Sequence, residues 1–144
     1  MVHIHDEGSV FDAPLEAVWK YLGTSQEHAG AHTEFRNGRR EQVRDGVIKL
    51  SREEQVEGKW VKTVVQVSLF PPLGYAQEFL EGPLAGSRAF QFYTPKGNRT
   101  GITVVGEFVM AGKTPSEVEA HVMGQLGRVF EDDQTGLRSF LGHA

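Results

Sequence analysis

The C-terminal stretch that decides the fold reads TPSEVEAHVMGQLGRVFEDDQTGLRSFLG (residues 114–142). Its first four residues match a capping box, with Thr114 at the N-cap, proline at the first helical position and Glu117 at the third. Apolar side chains then recur on one stripe at helical spacing, namely Val118, Val122, Leu126, Val129, Phe130, Leu137, Phe140 and Leu141. The pattern predicts a long helix that ends near Leu141, and its apolar stripe needs a second element to cover it.

The middle of the chain, residues 34–110, has the period of two that is typical of β-strands. Turn signals separate its apolar runs at Asp45-Gly46, Glu57-Gly58, Pro71–Gly74, Glu81–Pro83 and Pro95–Asn98. Connections this short join antiparallel neighbours. The sequence therefore predicts a meander of six antiparallel strands before the long helix.

A further strand and two short helices are expected before this meander. Residues 2–11 alternate loosely as a strand, and Pro14 suits the first turn of a helix. The apolar face of that helix consists of Leu15, Val18, Trp19 and Leu22. Ser25 is placed to cap a second short helix that runs to about His32. No linker or composition shift divides the chain, so residues 1–144 are predicted to form a single α+β domain.

The segment Phe11-Asp12-Ala13-Pro14-Leu15-Glu16-Ala17-Val18-Trp19 joins the first strand to the first helix. With the order of elements along essentially the whole chain, it resembles the helix-grip superfamily, also called SRPBCC or START-like. That superfamily includes Bet v 1-like proteins, lipid-transfer domains and polyketide cyclases. The resemblance implies a curved antiparallel sheet of seven strands, with the first beside the last, wrapped around the long C-terminal helix over a cavity.

Three kinds of function follow from this resemblance, because the fold alone does not choose among them. The first is binding of a small apolar molecule, lipid-like or polyketide-like, between the sheet and the C-terminal helix. The second is an enzyme of the cyclase/dehydratase type that uses Asp133, or His28 and His32, for proton transfer. The third is a protein-binding, co-chaperone-like module whose cavity is closed.

Strand alternation and the helical stripe predict which side chains line the cavity. The expected set is mainly aliphatic and aromatic, with a few polar groups, as small-molecule sites usually are. The predicted ligand-binding residues are Arg52, Glu54, Val65, Tyr75, Phe79, Phe90, Phe92, Val104, Phe108, Val122, Leu126 and Phe130.

Arg52 and Glu54 are unusual members of this set, because they share the inward phase of the third strand with Ile48 and Leu50. Two buried charges are costly unless they are paired or near water. In one interpretation they form a polar end of the pocket that orients a carboxylate or hydroxyl of the ligand. In the other, the strand twists outward at an open mouth and both side chains are solvated.

Asp133 falls on the apolar stripe of the long helix, between Phe130 and Leu137. A carboxylate in that position should accept hydrogen bonds or have a perturbed pKa. One hypothesis makes it a general acid/base or a ligand anchor. The alternative is a structural hydrogen bond or ion pair to the sheet or to the first helix.

His28 and His32 stand four residues apart, so both can face one way on a helix. The zincin pattern needs glutamate directly after the first histidine, and Ala29 stands there instead. Nothing nominates a third ligand beyond Glu34 or a distant strand, so no metal site is predicted. The remaining alternatives are a proton-transferring pair at the cavity mouth or plain surface histidines.

Composition narrows the other classes of function. The net charge is −4, and the cluster of Arg36, Arg39, Arg40 and Arg44 has acidic residues interleaved with it, so nucleic-acid binding is not expected. There is no cysteine and no dinucleotide, P-loop or serine-hydrolase motif, and no cofactor is predicted. No apolar run could span a membrane and the start has no secretory pattern, so the expected location is cytoplasmic. A homodimer is compatible with the sequence, which does not fix the oligomeric state.

Overall fold

The structure is a computed structural model and describes residues 1–23 and 35–142. The strands are β1 (Val2–Phe11), β2 (Phe35–Arg44), β3 (Val47–Val56), β4 (Lys59–Phe70), β5 (Gly74–Glu81), β6 (Arg88–Lys96) and β7 (Arg99–Phe108). The helices are α1 (Leu15–Gly23) and α2 (Pro115–Gly142). The predicted second short helix, Ser25 to about His32, lies outside the described residues.

All seven strands form one antiparallel sheet in the order β1-β7-β6-β5-β4-β3-β2. The six strands from β2 to β7 are consecutive neighbours, and each of the five predicted turns connects two of them. The chain closes this sheet with β1, which pairs with β7 from Val2↔Phe108 to Phe11↔Thr100. The predicted meander, and the position of the first strand beside the last, are therefore confirmed.

The capping box at the start of α2 is also confirmed. The backbone N–H of Glu117 donates to Oγ1 of Thr114 at 3.2 Å, and the backbone N–H of Thr114 donates to a carboxylate oxygen of Glu117 at 3.0 Å. These bonds satisfy two amide groups that the first helical turn leaves without intrahelical partners. Hydrogen bonds that the Glu117 carboxylate accepts from Thr114, chiefly from its backbone N–H, lower the pKa of that carboxyl.

Helix α2 packs on the sheet through two apolar clusters. One cluster surrounds the C-terminal half of the helix and joins Leu137 to the first helix and to strands β1, β6 and β7; its buried members are Phe11, Ala13, Val18, Tyr21, Tyr93, Ile102, Val104 and Leu137. The other surrounds its N-terminal half; its buried members are Ile4, Leu84, Ala89, Phe108, Val118 and Val122. Leu126, in the middle of the helix, contacts both clusters. The helix is therefore anchored mainly to the β1, β6 and β7 side of the sheet.

The opposite edge strand, β2, carries the arginine cluster. All of its residues after Phe35 are exposed, and Arg36 forms an ion pair with Glu53 of β3 at 3.3 Å. Charged side chains on an edge strand discourage pairing with the edge of another sheet. The arginine cluster therefore forms a solvated surface of the edge strand.

No helix within residues 1–23 and 35–142 is long and apolar enough to cross a membrane.

Candidate functional site

The candidate site is the space between the concave face of β3, β4 and β5 and the middle of α2, which we call the central space. Tyr75 and Phe79 of β5 lie on this face, Leu126 lies in the middle of α2, and all three side chains are partly buried. In contrast, the residues that anchor α2 to β1, β6 and β7 are almost fully buried. Inward-facing apolar side chains that keep accessible surface indicate room between the sheet and the helix.

Arg52 and Glu54 form one end of the central space. Glu54 is 6% exposed and accepts a hydrogen bond from Nε2 of Gln125 on α2 at 3.0 Å. The Arg52 guanidinium stacks over the ring of Phe35, 3.6 Å from its centroid. Both side chains therefore turn inward, and the alternative in which they are solvated at an outward-twisted strand is wrong.

The Arg52 guanidinium keeps one buried donor unused. Its Nε is inaccessible and has no hydrogen-bond partner among the described residues. Burial lowers the pKa of Arg52, and the Glu54 carboxylate partly offsets that effect. Arginine nonetheless stays protonated in proteins, so this is a cationic donor held beside the central space.

Asp133 and Tyr21 lie at the other end. Asp133 is 6% exposed, and its Oδ1 accepts a hydrogen bond from the Tyr21 hydroxyl of α1 at 3.1 Å. Burial raises the pKa of Tyr21, and the Asp133 carboxylate adds to this effect. The hydrogen bond expected for a carboxylate on the apolar stripe is confirmed, and its partner comes from the first helix. A role in catalysis stays a prediction.

Tyr93 and Gln91 extend this polar group, and the sequence analysis did not identify either residue. Nε2 of Gln91 donates to the Tyr93 hydroxyl at 2.9 Å, and Tyr93 is 4% exposed. The rings of Tyr93 and Tyr75 lie 6.2 Å apart. Tyr21, Tyr75 and Tyr93 thus bring three phenols to the inner side of the fold around Asp133.

The phase predicted for β6 is wrong. Phe90 and Phe92 lie on the outer face of the sheet, 49% and 43% exposed, with their rings stacked at 5.8 Å. Their neighbours Ala89 and Tyr93 are buried instead. Side chains alternate along a strand, so burying these neighbours turns both phenylalanines toward solvent. With the exposed Val105 opposite Phe90, they form an apolar patch on the outer face.

The remaining predicted ligand-binding residues divide into two groups. Val104, Phe108 and Val122 are almost completely buried within the two apolar clusters that anchor α2. Val65 is 1% exposed and belongs to neither cluster. It pairs across the strands with Leu50 and Phe79, which places it on the concave side between β3 and β5. Contact of these residues with a ligand stays a prediction.

Two clefts are open at the surface of the described residues. A groove of about 640 Å³ lies between α1 and the β4–β5 turn, lined by Leu15, Glu16, Trp19, Lys20, Pro71 and Pro72. The indole N–H of Trp19 donates to the carbonyl of Pro72 at 3.0 Å across it. A second cleft, of about 390 Å³, lies between the β3–β4 hairpin and the start of α2, next to the Glu54–Gln125 bond. The second cleft therefore adjoins the Arg52 end of the central space.

His28 and His32, the alternative catalytic pair, lie outside the described residues, as does Glu34. Within the described ranges, no three histidine, aspartate or glutamate side chains gather where they could hold a metal ion.

Known structures share this architecture. No family model matches the sequence, and no curated protein matches it. Among solved structures, the Zhui aromatase/cyclase from Streptomyces sp. R1128 has a TM-score of 0.72 at 19% identity, covering 94% of this chain and 91% of that chain. Ara h 8.0201 has a TM-score of 0.76 at 13% identity, covering 95% and 97%. TTHA0849 from Thermus thermophilus has a TM-score of 0.75 at 10% identity, covering 95% and 97%.

Likeness at these identities concerns the fold, and fold does not determine function. The seven-stranded curved sheet, the short helix after the first strand and the long C-terminal helix are all present. The resemblance expected from the sequence is thereby confirmed at the level of architecture: this chain has the helix-grip fold, as these solved structures do.

Proposed function

We propose that the protein binds a small apolar molecule, lipid-like or polyketide-like, in the central space. The observation that carries this proposal is the partial exposure of inward-facing apolar side chains on both sides of that space, Tyr75 and Phe79 on the sheet and Leu126 on the helix. Such surface is stabilised when an apolar body covers it, by about 25 cal/mol for each Å² removed from water.

The polar groups at the two ends support a ligand that also carries oxygen. Small-molecule sites combine an apolar lining with a few fixed polar groups that set orientation. The unpaired Nε of Arg52 is one such group, because a buried donor without a partner costs about 1–3 kcal/mol and a ligand acceptor would relieve that cost. The cytoplasmic location, the absence of nucleic-acid binding and the homodimer stay predictions.

Phe79 and Phe92, both of which the sequence analysis predicts to bind the ligand, give the sharpest test of the binding site. Phe79 faces the central space, whereas Phe92 lies on the outer face. N-phenylnaphthylamine, whose emission rises in apolar surroundings, is expected to bind the wild type. We expect Phe79→Ala to weaken this binding about tenfold, through the lost apolar contact, and Phe92→Ala to leave it unchanged. Fluorescence titration measures both affinities, and thermal melts check that each variant is folded.

The outcomes of this titration separate the hypotheses. Binding that responds to Phe92→Ala and not to Phe79→Ala would place the apolar site on the outer face and overturn the proposal. An absence of any probe binding would favour the protein-binding module with a closed interior. A response confined to Phe79→Ala supports the central space.

Proton transfer of the cyclase/dehydratase type is the second candidate, and Asp133 is the observation that favours it. Its buried carboxylate accepts a hydrogen bond from the Tyr21 hydroxyl and its charge acts on Tyr75 and Tyr93, which is a suitable arrangement for moving protons to and from a carbonyl-bearing substrate. One of the structures similar to this chain is an aromatase/cyclase.

We expect Asp133→Asn to separate catalysis from binding. The amide has nearly the shape of the carboxylate but cannot act as a base, so conversion of a carbonyl-bearing ligand should fall by at least about a hundredfold. Binding of N-phenylnaphthylamine should not change. Native mass spectrometry of the purified protein, followed by extraction, identifies the molecule that co-purifies. Its conversion by the wild type and by the variant is then compared. If the wild-type protein returns that molecule chemically unchanged, the enzyme candidate is abandoned.

A further inference from the structure

An apolar surface lies on the outer face of the sheet, on the opposite side from the central space. Phe70 of β4 and Phe92 of β6 both pair with Gly74 of β5, and directly opposed residues share a face. The adjacent row continues this surface from β5 through β6 to β7. We call it the outer patch; its residues are Phe70, Gly74, Ala76, Phe90, Phe92 and Val105.

The outer patch exposes enough apolar surface for a specific protein contact. Phe70, Phe90 and Phe92 are 53%, 49% and 43% exposed, so each ring presents about 100 Å² to water. With the exposed Val105, the patch presents roughly 350 Å². About 60% of a protein interface is apolar, so this surface corresponds to an interface of roughly 600 Å² on each partner. Specific interfaces begin at about 1,200 Å² in total, and those near this lower limit are weak.

The shape of the outer patch is complementary to itself. Phe90 and Phe92 stack on β6, with ring centroids 5.8 Å apart, and form a ridge. Beside this ridge the small residues Gly74 and Ala76 of β5 leave a groove, which the ring of Phe70 borders on β4. Neighbouring strands are about 4.8 Å apart, so the ridge and the groove adjoin each other. A two-fold axis parallel to the strands and between these two features places the ridge of each copy over the groove of the other.

The charges beside the outer patch favour a second copy of the chain over a strongly charged partner. The next row of the outer face consists of Glu78, Arg88 and Glu107 on β5, β6 and β7. Arg88 forms an ion pair with Glu107, so these charges largely offset one another. Two such surfaces can therefore approach without strong like-charge repulsion. A nucleic acid or an anionic membrane would instead require a basic surface.

We propose that the outer patch is the interface of a homodimer, in which the ridge of Phe90 and Phe92 on each copy lies in the groove over Gly74 and Ala76 of the other. The two sheets then meet by their outer faces, and each copy keeps its own central space. The modest area predicts a reversible dimer with a Kd on the order of 10 µM. This inference is independent of the proposed function, because it uses the opposite face of the sheet.

Sedimentation velocity at protein concentrations from about 1 to 200 µM tests the dimer. We expect the wild type to change from monomer to dimer across this range. Phe92→Ser should raise the dimer Kd at least about tenfold, because a two-fold interface loses two rings at once. Met123→Ser is the matched control, since Met123 is an exposed apolar residue of α2 outside the patch, and it should leave the Kd unchanged. Thermal melts check that both variants fold.

Chemical cross-linking shows which faces meet. The chain has no cysteine, so one introduced thiol reports on a single position. Thr94 is exposed and lies two residues beyond Phe92 on the same face of β6, at the end of the ridge. Packed sheets lie about 10 Å apart, so Thr94→Cys should give a covalent dimer with a short bismaleimide. Met123→Cys should not.

Loss of the dimer in Phe92→Ser together with cross-linking through Thr94→Cys supports the inference. A wild type that stays monomeric up to about 200 µM would overturn it. A dimer that is insensitive to Phe92→Ser, or that cross-links through Met123→Cys and not through Thr94→Cys, would place the interface elsewhere. Assemblies that grow beyond the dimer would also contradict it, because a two-fold contact closes on itself.

Discussion

Replacing Gly74 with alanine is expected to lower the free energy of unfolding by about 3 kcal/mol. Gly74 begins β5 with φ of +150°, and a Cβ built there would lie 1.9 Å from the carbonyl oxygen of Gln91. That oxygen belongs to the backbone of the neighbouring strand and has no flexible bond through which to withdraw. The two strands would therefore have to separate at the point where Tyr75 faces Gln91.

Gly127 provides a control of opposite sign. It lies in α2, is exposed, and nothing stands within 4 Å of a Cβ built there. Because glycine costs about 1 kcal/mol relative to alanine in a helix interior, Gly127→Ala should stabilise the protein by up to about that amount. Urea titration followed by the fluorescence of the two tryptophans measures both changes. A Gly74→Ala variant with wild-type stability would contradict the close approach of β5 and β6.

The overall fold could be predicted because its signals are local. The capping box at Thr114 and the two-residue turns such as Asp45-Gly46 each specify a boundary within four residues. Short antiparallel connections between successive strands then leave little freedom in the topology. The burial of Asp133 was likewise visible from its angle on the α2 stripe. Its partner was not, because Tyr21 comes from a distant helix that only tertiary packing brings alongside.

The error in β6 has a different origin, because the apolar count of a strand is a weak guide when both faces carry aromatic residues. Phe90 and Phe92 are two aromatic residues against one, Tyr93, in the other phase, so the aromatic count favours the wrong face. The β6–β7 turn sets the register of the two strands. Lys96 pairs with Arg99, and this register places Tyr93 opposite Ile102. Directly opposed residues share a face. Val104, which is in phase with Ile102 on β7, is correctly predicted to face inward, so the register places Tyr93 inside as well.

The central space itself depends on interactions between elements far apart in sequence. Glu54 is buried because Gln125 reaches it from α2, 71 residues further along the chain. Neither the period of two of a strand nor the period of 3.6 of a helix predicts a hydrogen bond between two distant elements. Periodicity could indicate that Arg52 and Glu54 share the inward phase of β3. Whether these side chains are buried or solvated depends on the packing of α2 against them. This is why the sequence left two alternatives at this position.

Alkaline titration is expected to leave all three tyrosines protonated in the folded protein well above pH 10, which is about the ordinary pKa of the phenol. Burial is the main cause of the raised pKa of Tyr21, Tyr75 and Tyr93 alike, and the Asp133 carboxylate raises each of them further. The chain has three tyrosines in all, so no exposed phenol masks the result. Tyrosinate absorbance in the near ultraviolet follows the ionisation directly.

The sign of the coupling to stability follows from these shifts. A pKa that is higher in the folded state than in the unfolded chain means that folding favours the neutral phenol, so its contribution is complete below about pH 10 and is lost as the pH rises toward the folded value. In that window each tyrosine lowers the free energy of unfolding by up to about 1.4 kcal/mol per pH unit. Tyrosinate should therefore appear in one cooperative step, together with the loss of the far-ultraviolet circular dichroism signal. Protein unfolded in guanidinium should instead ionise all three near pH 10. A tyrosine that ionises near pH 10 while the circular dichroism signal is unchanged would show that solvent reaches its hydroxyl. If that tyrosine is Tyr75, the central space is open to bulk water rather than shaped around a ligand.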